Sequence, residues 1–237
     1  MPRTARASLG GWCYPVLNRG KRRAQVFHAD GDYAAFTRLL RQACARVPRR
    51  LLASCLMPNH FHLALWPLAD GDLGRWMQGL LTTHVRRYPA RYRSSGRLGQ
   101  GRFKAFPIAQ DEHLLTVLRY SERNPVRASL VSRAEDWPWS SLRWWGTATG
   151  LPFLDPGPVP RGSDWVEHVN TPLHESDRRR IRYRVDRGAP YGSAAWTAAT
   201  ATALGLAFTL RPRGRPPKGA VAEPAGNYPP TLFPAEM

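Results

Sequence analysis

The chain has 237 residues and 43% hydrophobic side chains, enough for one sizeable core and a small appendage. It carries 35 Lys and Arg against 17 Asp and Glu, and the net charge of +18 predicts a polyanionic partner, either nucleic acid or an anionic membrane surface. No segment approaches the ~18–20 uninterrupted apolar residues of a membrane-spanning helix, and residues 1–20 have no apolar signal-peptide core. The composition therefore excludes a membrane-spanning protein and predicts a cytoplasmic one.

The cysteines do not form a recognisable framework. Cys13, Cys44 and Cys55 include no C-x-x-C pair, so neither a set of disulfides nor a zinc finger is indicated. We expect reduced, mostly buried thiols.

Two segments, residues 1–29 and 73–110, are basic and contain no acidic residue. This absence favours a surface that follows a phosphate backbone over an ordinary solvated face. Aromatic residues interleave the second segment, where they either stack on unpaired bases or belong to the core. The predicted phosphate-binding residues of the two segments are Arg19, Arg22, Arg23, Arg86, Arg87, Arg102 and Lys104.

The first half of the chain alternates extended and helical patterns. Residues 12–17 read as a strand, residues 30–47 as an amphipathic helix, and residues 51–57 and 60–66 as two strands of a tight hairpin. A second helix over 72–88 ends at Pro89, a strand follows at 102–109, and a third helix spans 111–124 with Asp111 as its N-cap.

This order of elements predicts an α+β fold with helices packed on an antiparallel, ferredoxin-like sheet. Trp137-Pro138-Trp139 is interpreted as hydrophobic closure of that domain, and the alternative is a platform on which bases stack. The chain divides into a domain over 1–149, a Pro/Gly-rich linker over 150–175, a small Arg-rich helical appendage over 176–210 and a disordered basic tail over 211–237.

Two histidines share one face of the strand at 60–66. Alternation places Phe61, Leu63 and Leu65 on one face and His60 and His62 on the other. The Cα atoms of the histidines are expected ~6.5–7 Å apart, a spacing at which both rings can bind one divalent ion. The alternative is a half-buried strand with two unrelated histidines.

Four residues of the third helix share one stripe, because His113, Val117, Tyr120 and Asn124 are spaced by four, three and four residues. Pro125 is expected to end the helix at Asn124 and to leave its amide oxygen free for a metal ion. The alternatives are a core aromatic with a hydroxyl at the rim for Tyr120 and a C-cap for Asn124.

The basic tail contains Arg213-Gly214-Arg215-Pro216, which resembles the core of an AT-hook. Arg213 and Arg215 would enter an A·T-rich minor groove. The alternative is a disordered tail that binds nucleic acid through its charge alone.

Three sequence blocks resemble those of the single-tyrosine HUH transposases, and in particular the REP-associated tyrosine transposases. They run from Met57 to Leu63 (MPNHFHL), from Gln100 to Lys104 (QGRFK) and from Tyr120 to Ala128 (YSERNPVRA). The resemblance covers about residues 12–145. It implies the HUH endonuclease fold for the domain over 1–149.

The resemblance also implies an activity, a metal-dependent single-stranded DNA nickase and strand transferase acting near palindromic hairpins. Tyr120 matches the nucleophile, His60 and His62 match the ligands of Mg²⁺ or Mn²⁺, and Asn124 matches the third ligand, although relatives often carry glutamine there. His113 matches no ligand position. Arg127, which follows the catalytic turn, is a further predicted DNA-binding residue together with those of the basic segments and the tail.

A competing hypothesis is a catalytically inactive, domesticated DNA- or RNA-binding protein that uses the same basic surface. We expect a bacterial protein that is associated with the nucleoid when bound to DNA and that has neither a membrane partner nor a small-molecule substrate. Whether it acts as a monomer or a homodimer is left open by the sequence.

Overall fold

A four-stranded antiparallel sheet forms the centre of the molecule. The structure is a computed structural model that describes residues 8–47, 49–92, 98–145 and 153–211. The strands lie in the order β2-β3-β1-β4, which is the ferredoxin-like arrangement expected from the sequence. Their bounds are β1 Tyr14–Arg19, β2 Arg49–Met57, β3 His60–Pro67 and β4 Lys104–Ala105.

Helices cover both faces of this sheet, as the predicted α+β class requires. Within the described residues none of them is long and apolar enough to cross a bilayer. The helices are α1 Asp30–Arg46, α2 Asp72–Tyr92, α3 Glu112–Glu122, α4 Asn124–Arg127, α5 Trp165–Asn170, α6 Glu175–Arg187 and α7 Ala194–Ala203.

The two faces of β3 belong to two different cores. Phe61, Leu63 and Leu65 pack with the residues of α1 and α2, whereas Ala64 packs with Val117 and other residues of α3. The predicted alternation is therefore confirmed. Because a one-residue slip would move every side chain of β3 to the wrong core, burial of both faces fixes the register of this strand.

The hairpin of β2 and β3 turns at Pro58 and Asn59, as predicted, and pairs Met57 with His60. Trp137 and Trp139 close one end of the core over this hairpin. The indole of Trp137 donates a hydrogen bond to the carbonyl oxygen of Leu56 (2.8 Å), and Trp139 stacks on Tyr33. The expected role of this motif in hydrophobic closure is confirmed.

The prediction of a strand over 102–109 was too long. The regular ladder with β1 includes only Lys104 and Ala105, and Ile108 adds an isolated bridge to Cys13. Gly101 has a φ of +108°, and Pro107 has no N–H to donate, so extended pairing is interrupted on both sides of β4.

All three cysteines are free, as predicted.

Two helix ends also differ from expectation. Helix α2 continues past Pro89 to Tyr92, whose hydroxyl donates to the carboxylate of Asp32 and so ties the last turn to α1. A proline removes one backbone hydrogen bond, and this contact offsets that loss. Helix α3 ends at Glu122 rather than at Asn124, and Pro125 lies in the first turn of α4, where a proline is tolerated.

The C-terminal segment over 153–211 packs against both edges of the sheet. Leu154 bridges to Leu51 on β2, and Tyr191 bridges to Ile108 beyond β4. Helix α5 lies inside the predicted linker, where the sequence had indicated no helix, while α6 and α7 lie where the helical appendage was expected. The division of the chain into domains stays a prediction.

Trp165 of α5 tests whether this segment unfolds together with the sheet. Trp165 is only 5% exposed and packs in the same core as Val117. We expect Trp165→Ala to lower the free energy of unfolding by roughly 3–5 kcal/mol, through lost burial and a residual cavity, in a single urea transition. Phe208→Ala, at a residue that is 47% exposed, is the control and should cost less than about 1 kcal/mol. A separate early transition for Trp165→Ala would contradict joint unfolding.

Candidate active site

The two histidines of β3 lie side by side on the sheet face that α3 covers. His60 and His62 are both buried, and their ring centroids are 5.0 Å apart with the rings nearly perpendicular. Strand pairing with β1 and β2 fixes this position, because His62 is paired with Leu17 on one side and with Cys55 on the other. The predicted juxtaposition of the two imidazoles is present.

Tyr120 reaches the histidine pair from α3. Its ring centroid is 6.0 Å from that of His62, with the rings at 80° to each other. Tyr120 and His62 line one small cleft together with Lys104 of β4 and with Ile181 and Val185 of α6. The C-terminal segment thus supplies one wall of the space beside the phenol.

Both imidazoles are held in the neutral form. Burial, and then the charges of Arg19 and Arg127, lower the pKa of His60 to about 4. Burial also holds the pKa of His62 well below its usual range, with contributions from His60 and the same two arginines. A neutral imidazole keeps the lone pair that a metal ion requires.

A hydrogen bond from the β-turn selects the tautomer of His60. Nδ1 of His60 lies 2.6 Å from Oδ1 of Asn59, and the amide nitrogen of Asn59 donates to the carbonyl oxygen of Arg23. Because the Asn59 oxygen can only accept, Nδ1 carries the proton and Nε2 carries the lone pair. Nε2 is buried and has no hydrogen-bond partner among the described residues. Such an outer-shell hydrogen bond is typical of metal-binding histidines.

Asn124 is completely buried, and its amide is engaged on both sides. Nδ2 donates to the carbonyl oxygens of Tyr120 (2.9 Å) and Ser121 (3.2 Å), while Oδ1 accepts from Nη2 of Arg127 at 2.6 Å. The sequence had predicted a free amide oxygen, so this part of the expectation was wrong. An amide oxygen has two lone pairs, and Asn124 can therefore serve Arg127 and a metal ion together.

The residues present fit a divalent ion. The orphaned Nε2 of His60 and the neutral ring of His62 are nitrogen donors of the kind that such an ion takes, and the role of the Asn124 oxygen as a third ligand stays a prediction. A different set of ligand atoms, from Asp111, Glu112 and His113, lies within 4.8 Å of one another at the start of α3. There Nδ1 of His113 contacts Asp111 (2.8 Å), which also caps the helix as predicted, and its ring contacts Tyr191. The structure does not bring His113 to the histidine pair.

The predicted DNA-binding residues are distributed unevenly around this site. Arg19 is paired with His60 in the β1–β3 ladder, and Lys104 forms an ion pair with Asp186 of α6 at 2.6 Å. Arg22 and Arg23 follow Arg19 in the chain, Arg102 precedes Lys104, and all three are exposed. Arg86 and Arg87 lie on α2, which packs on the opposite face of the sheet. Arg213 and Arg215 lie outside the described residues, and the DNA-binding roles of all these residues stay predictions.

A buried polar cluster behind Tyr120 was missed at the sequence level. Glu122 is fully buried and accepts hydrogen bonds from Ser141 Oγ (2.7 Å) and Trp165 Nε1 (2.9 Å). Burial raises the pKa of Glu122, and the nearby charge of Arg161 opposes that rise. The signal that could have found it is its spacing, because Glu122 follows Leu114 and Leu118 at intervals of four residues and therefore lies on the apolar face of α3.

Comparison with known proteins gives concordant matches. A sequence family described as IS200-like transposases matches residues 11–124. A Haemophilus influenzae protein named as a REP-associated tyrosine transposase is 32% identical over 118 residues, and the match covers 45% of this chain and 66% of that relative. The structure of a REP-associated tyrosine transposase bound to a REP hairpin superposes with a TM-score of 0.52 at 20% identity, over 69% of this chain and 96% of that one. At that identity the superposition shows the fold alone.

The low pKa of His60 makes stability dependent on pH. The folded chain resists protonation of this residue down to about pH 4, whereas the unfolded chain binds a proton near the ordinary value of ~6.5. The free energy of unfolding should therefore fall as pH drops from 7 to 5, and His60→Gln should reduce that loss by about 2 kcal/mol. Urea unfolding at the two pH values measures the difference. His28→Gln, at an exposed position, is the control, and an equal loss in wild type and His60→Gln would contradict the assignment.

Proposed function

This chain belongs to the IS200-like transposase family, and we propose that it is a metal-dependent endonuclease and strand transferase that nicks single-stranded DNA near short palindromic hairpins. The observation that carries the proposal is the position of the Tyr120 phenol beside His62 in one cleft, where the neutral ring of His62 lies next to that of His60. A nucleophile next to a candidate metal centre is the arrangement that such a reaction requires.

In the proposed reaction Oη of Tyr120 attacks the scissile phosphorus. The Oη–P bond forms as the bond from phosphorus to the 3′ oxygen breaks, which leaves a 5′-phosphotyrosine and a free 3′-hydroxyl. The phenolic proton passes to solvent, and the leaving 3′ oxygen takes a proton from water. A phenol is mostly protonated at neutral pH, so the positive charges of the site assist its ionisation.

The phosphotyrosine ester keeps the energy of the original phosphodiester. Attack by another DNA 3′-hydroxyl can therefore reverse the step and join a new strand without ATP. The cleft beside Tyr120 limits the approach of water, because apolar side chains from α3 and α6 line it. Strand transfer, rather than hydrolysis, is the outcome that this lining favours.

His60, His62 and Asn124 are the residues proposed to hold the divalent ion, either Mg²⁺ or Mn²⁺. When bound there, the ion would neutralise the non-bridging phosphate oxygens and orient the phosphate for in-line attack. Neutral imidazoles need not release a proton before they bind it.

The proposed partner is single-stranded DNA that contains palindromic hairpins. The net charge of +18 and the exposed Arg22, Arg23 and Arg102 support a polyanionic ligand. The solved structure described above contains a REP hairpin bound to a REP-associated transposase, and we extend that partner to this chain. A cytoplasmic location and association with the nucleoid follow from this proposal.

Covalent capture tests the nucleophile. Incubation with hairpin-bearing single-stranded DNA and Mg²⁺ or Mn²⁺ should give a protein–DNA adduct that survives denaturing electrophoresis. Tyr120→Phe removes only the attacking oxygen and should abolish the adduct, whereas Tyr183→Phe, in α6, is the matched control and should form it. If wild type forms no adduct with either metal, the inactive DNA-binding alternative replaces the proposal.

Substitution of both histidines separates cleavage from binding. We expect His60→Gln/His62→Gln to lower the rate of adduct formation roughly 100-fold or more, since charge stabilisation at the phosphate is lost. Hairpin affinity should change by no more than about threefold, because phosphate contacts elsewhere supply most of it. Electrophoretic mobility shifts at fixed salt measure the affinity. An equal loss of binding and cleavage would show that the histidines hold DNA rather than support the reaction.

A further inference from the structure

We propose that Arg19 and Arg127 are catalytic residues that hold the scissile phosphate between them, and that Asn124 is a positioning residue for Arg127. This inference rests on the proposed nicking activity. It assigns the charge stabilisation of the reaction to two named guanidinium groups in addition to the metal ion.

Arg19 is the last residue of β1 and lies directly beside His60. The two residues are paired in the antiparallel ladder, so their side chains leave the same face of the sheet with Cβ atoms about 4.5–5.5 Å apart. Nε of Arg19 is buried and has no hydrogen-bond partner among the described residues. A buried unpaired donor costs roughly 1–3 kcal/mol, and an oxygen of a bound phosphate would satisfy it.

Arg127 approaches the same histidines from the helical layer. Its guanidinium donates to Asn124 Oδ1 at 2.6 Å, and its central carbon is 5.8 Å from the centroid of the Tyr120 ring. Asn124 is itself fixed by hydrogen bonds to the backbone of Tyr120 and Ser121. One short chain of hydrogen bonds therefore connects the backbone of the nucleophile to the arginine.

The charges of both arginines are uncompensated. In the part of the chain that the structure describes, neither Arg19 nor Arg127 forms an ion pair with a carboxylate, in contrast to Lys104, which is paired with Asp186. Arg19 is partly buried, and a partly desolvated cation without a counterion favours a bound anion, whereas Arg127 is exposed and its guanidinium is held in place by Asn124. Arginine is also suited to phosphate because its fork presents two parallel donors.

This placement matches where charge develops in the reaction. As Oη of Tyr120 adds to phosphorus, the five-coordinate transition state carries more negative charge than the diester. Arg19 on the sheet and Arg127 on α4 flank the histidine pair from the two layers. Each can therefore contact a different oxygen of the same phosphate, and donors placed for such charge are each worth about 100-fold or more in rate.

A charge-neutral substrate tests the assignment. The scissile phosphate of the hairpin-bearing strand is replaced by a methylphosphonate, which has lost the negative charge that the arginines would neutralise. On normal DNA, Arg19→Ala and Arg127→Ala should each slow adduct formation about 100-fold. On the methylphosphonate the ratio of wild-type to variant rate should shrink to less than about tenfold, a rescue that a merely structural defect would not show.

Arg38→Ala is the matched control, because Arg38 is exposed on α1, on the opposite side of the sheet, and its loss removes the same charge. It should retain wild-type rates on both substrates. Arg19→Lys and Arg127→Lys, each checked by circular dichroism, keep the charge if an alanine variant fails to fold, and they should show the same pattern with smaller losses.

Asn124→Ala should resemble Arg127→Ala, with a loss on normal DNA that the methylphosphonate largely rescues. A loss of equal size on both substrates would show that Asn124 does not act through Arg127. Alanine variants of the arginines that keep the wild-type rate, or that lose the same factor on both substrates, overturn the inference while leaving the nicking activity intact. Absence of any wild-type adduct on normal DNA overturns the proposed function, and the inference with it.

Discussion

The antiparallel pairing of β3 between β1 and β2 is the constraint on which the site depends. Both faces of β3 are buried, so the register cannot slip, and the two histidines must leave the sheet on the side of α3. The same pairing places Arg19 beside His60. The proposed divalent-ion site and the proposed phosphate site thus both depend on the backbone hydrogen bonds of this strand pairing.

Desolvation then decides the chemistry of these side chains. In water a pair of imidazoles would be partly protonated near neutral pH, but burial and two flanking guanidinium groups keep His60 and His62 neutral. The stability lost by burying the two rings is balanced by packing elsewhere. In return, each ring keeps a nitrogen lone pair that can bind a metal ion without first releasing a proton. Titratable side chains whose pKa values are shifted by burial, at a cost in stability, are common at functional sites.

The sequence was sufficient for the parts of the molecule that are set by local periodicity. Alternation along β3 correctly placed His60 and His62 on one face, because that pattern follows from backbone geometry. That Tyr120 lies beside them was implied by the resemblance to the single-tyrosine transposases and not by spacing. The sequence was insufficient where distant segments meet. The helix inside the predicted linker and the hydrogen bonds from Ser141 and Trp165 to Glu122 depend on contacts between segments that are distant in the sequence. The extension of α2 past Pro89 has the same origin, since a contact from Tyr92 to Asp32 overrides the local preference.

The attachment of the C-terminal segment to the sheet edges has a consequence for solubility. An exposed edge strand offers unpaired N–H and C=O groups to which a strand of another molecule can add. Here Leu154 and Ser140 bridge to the outer side of β2, and Tyr191 bridges beyond β4, so the described parts of both edges are already partly occupied. If copies of this chain bind close together on one DNA strand, as the proposed function implies, they find little free edge in these described parts through which to aggregate.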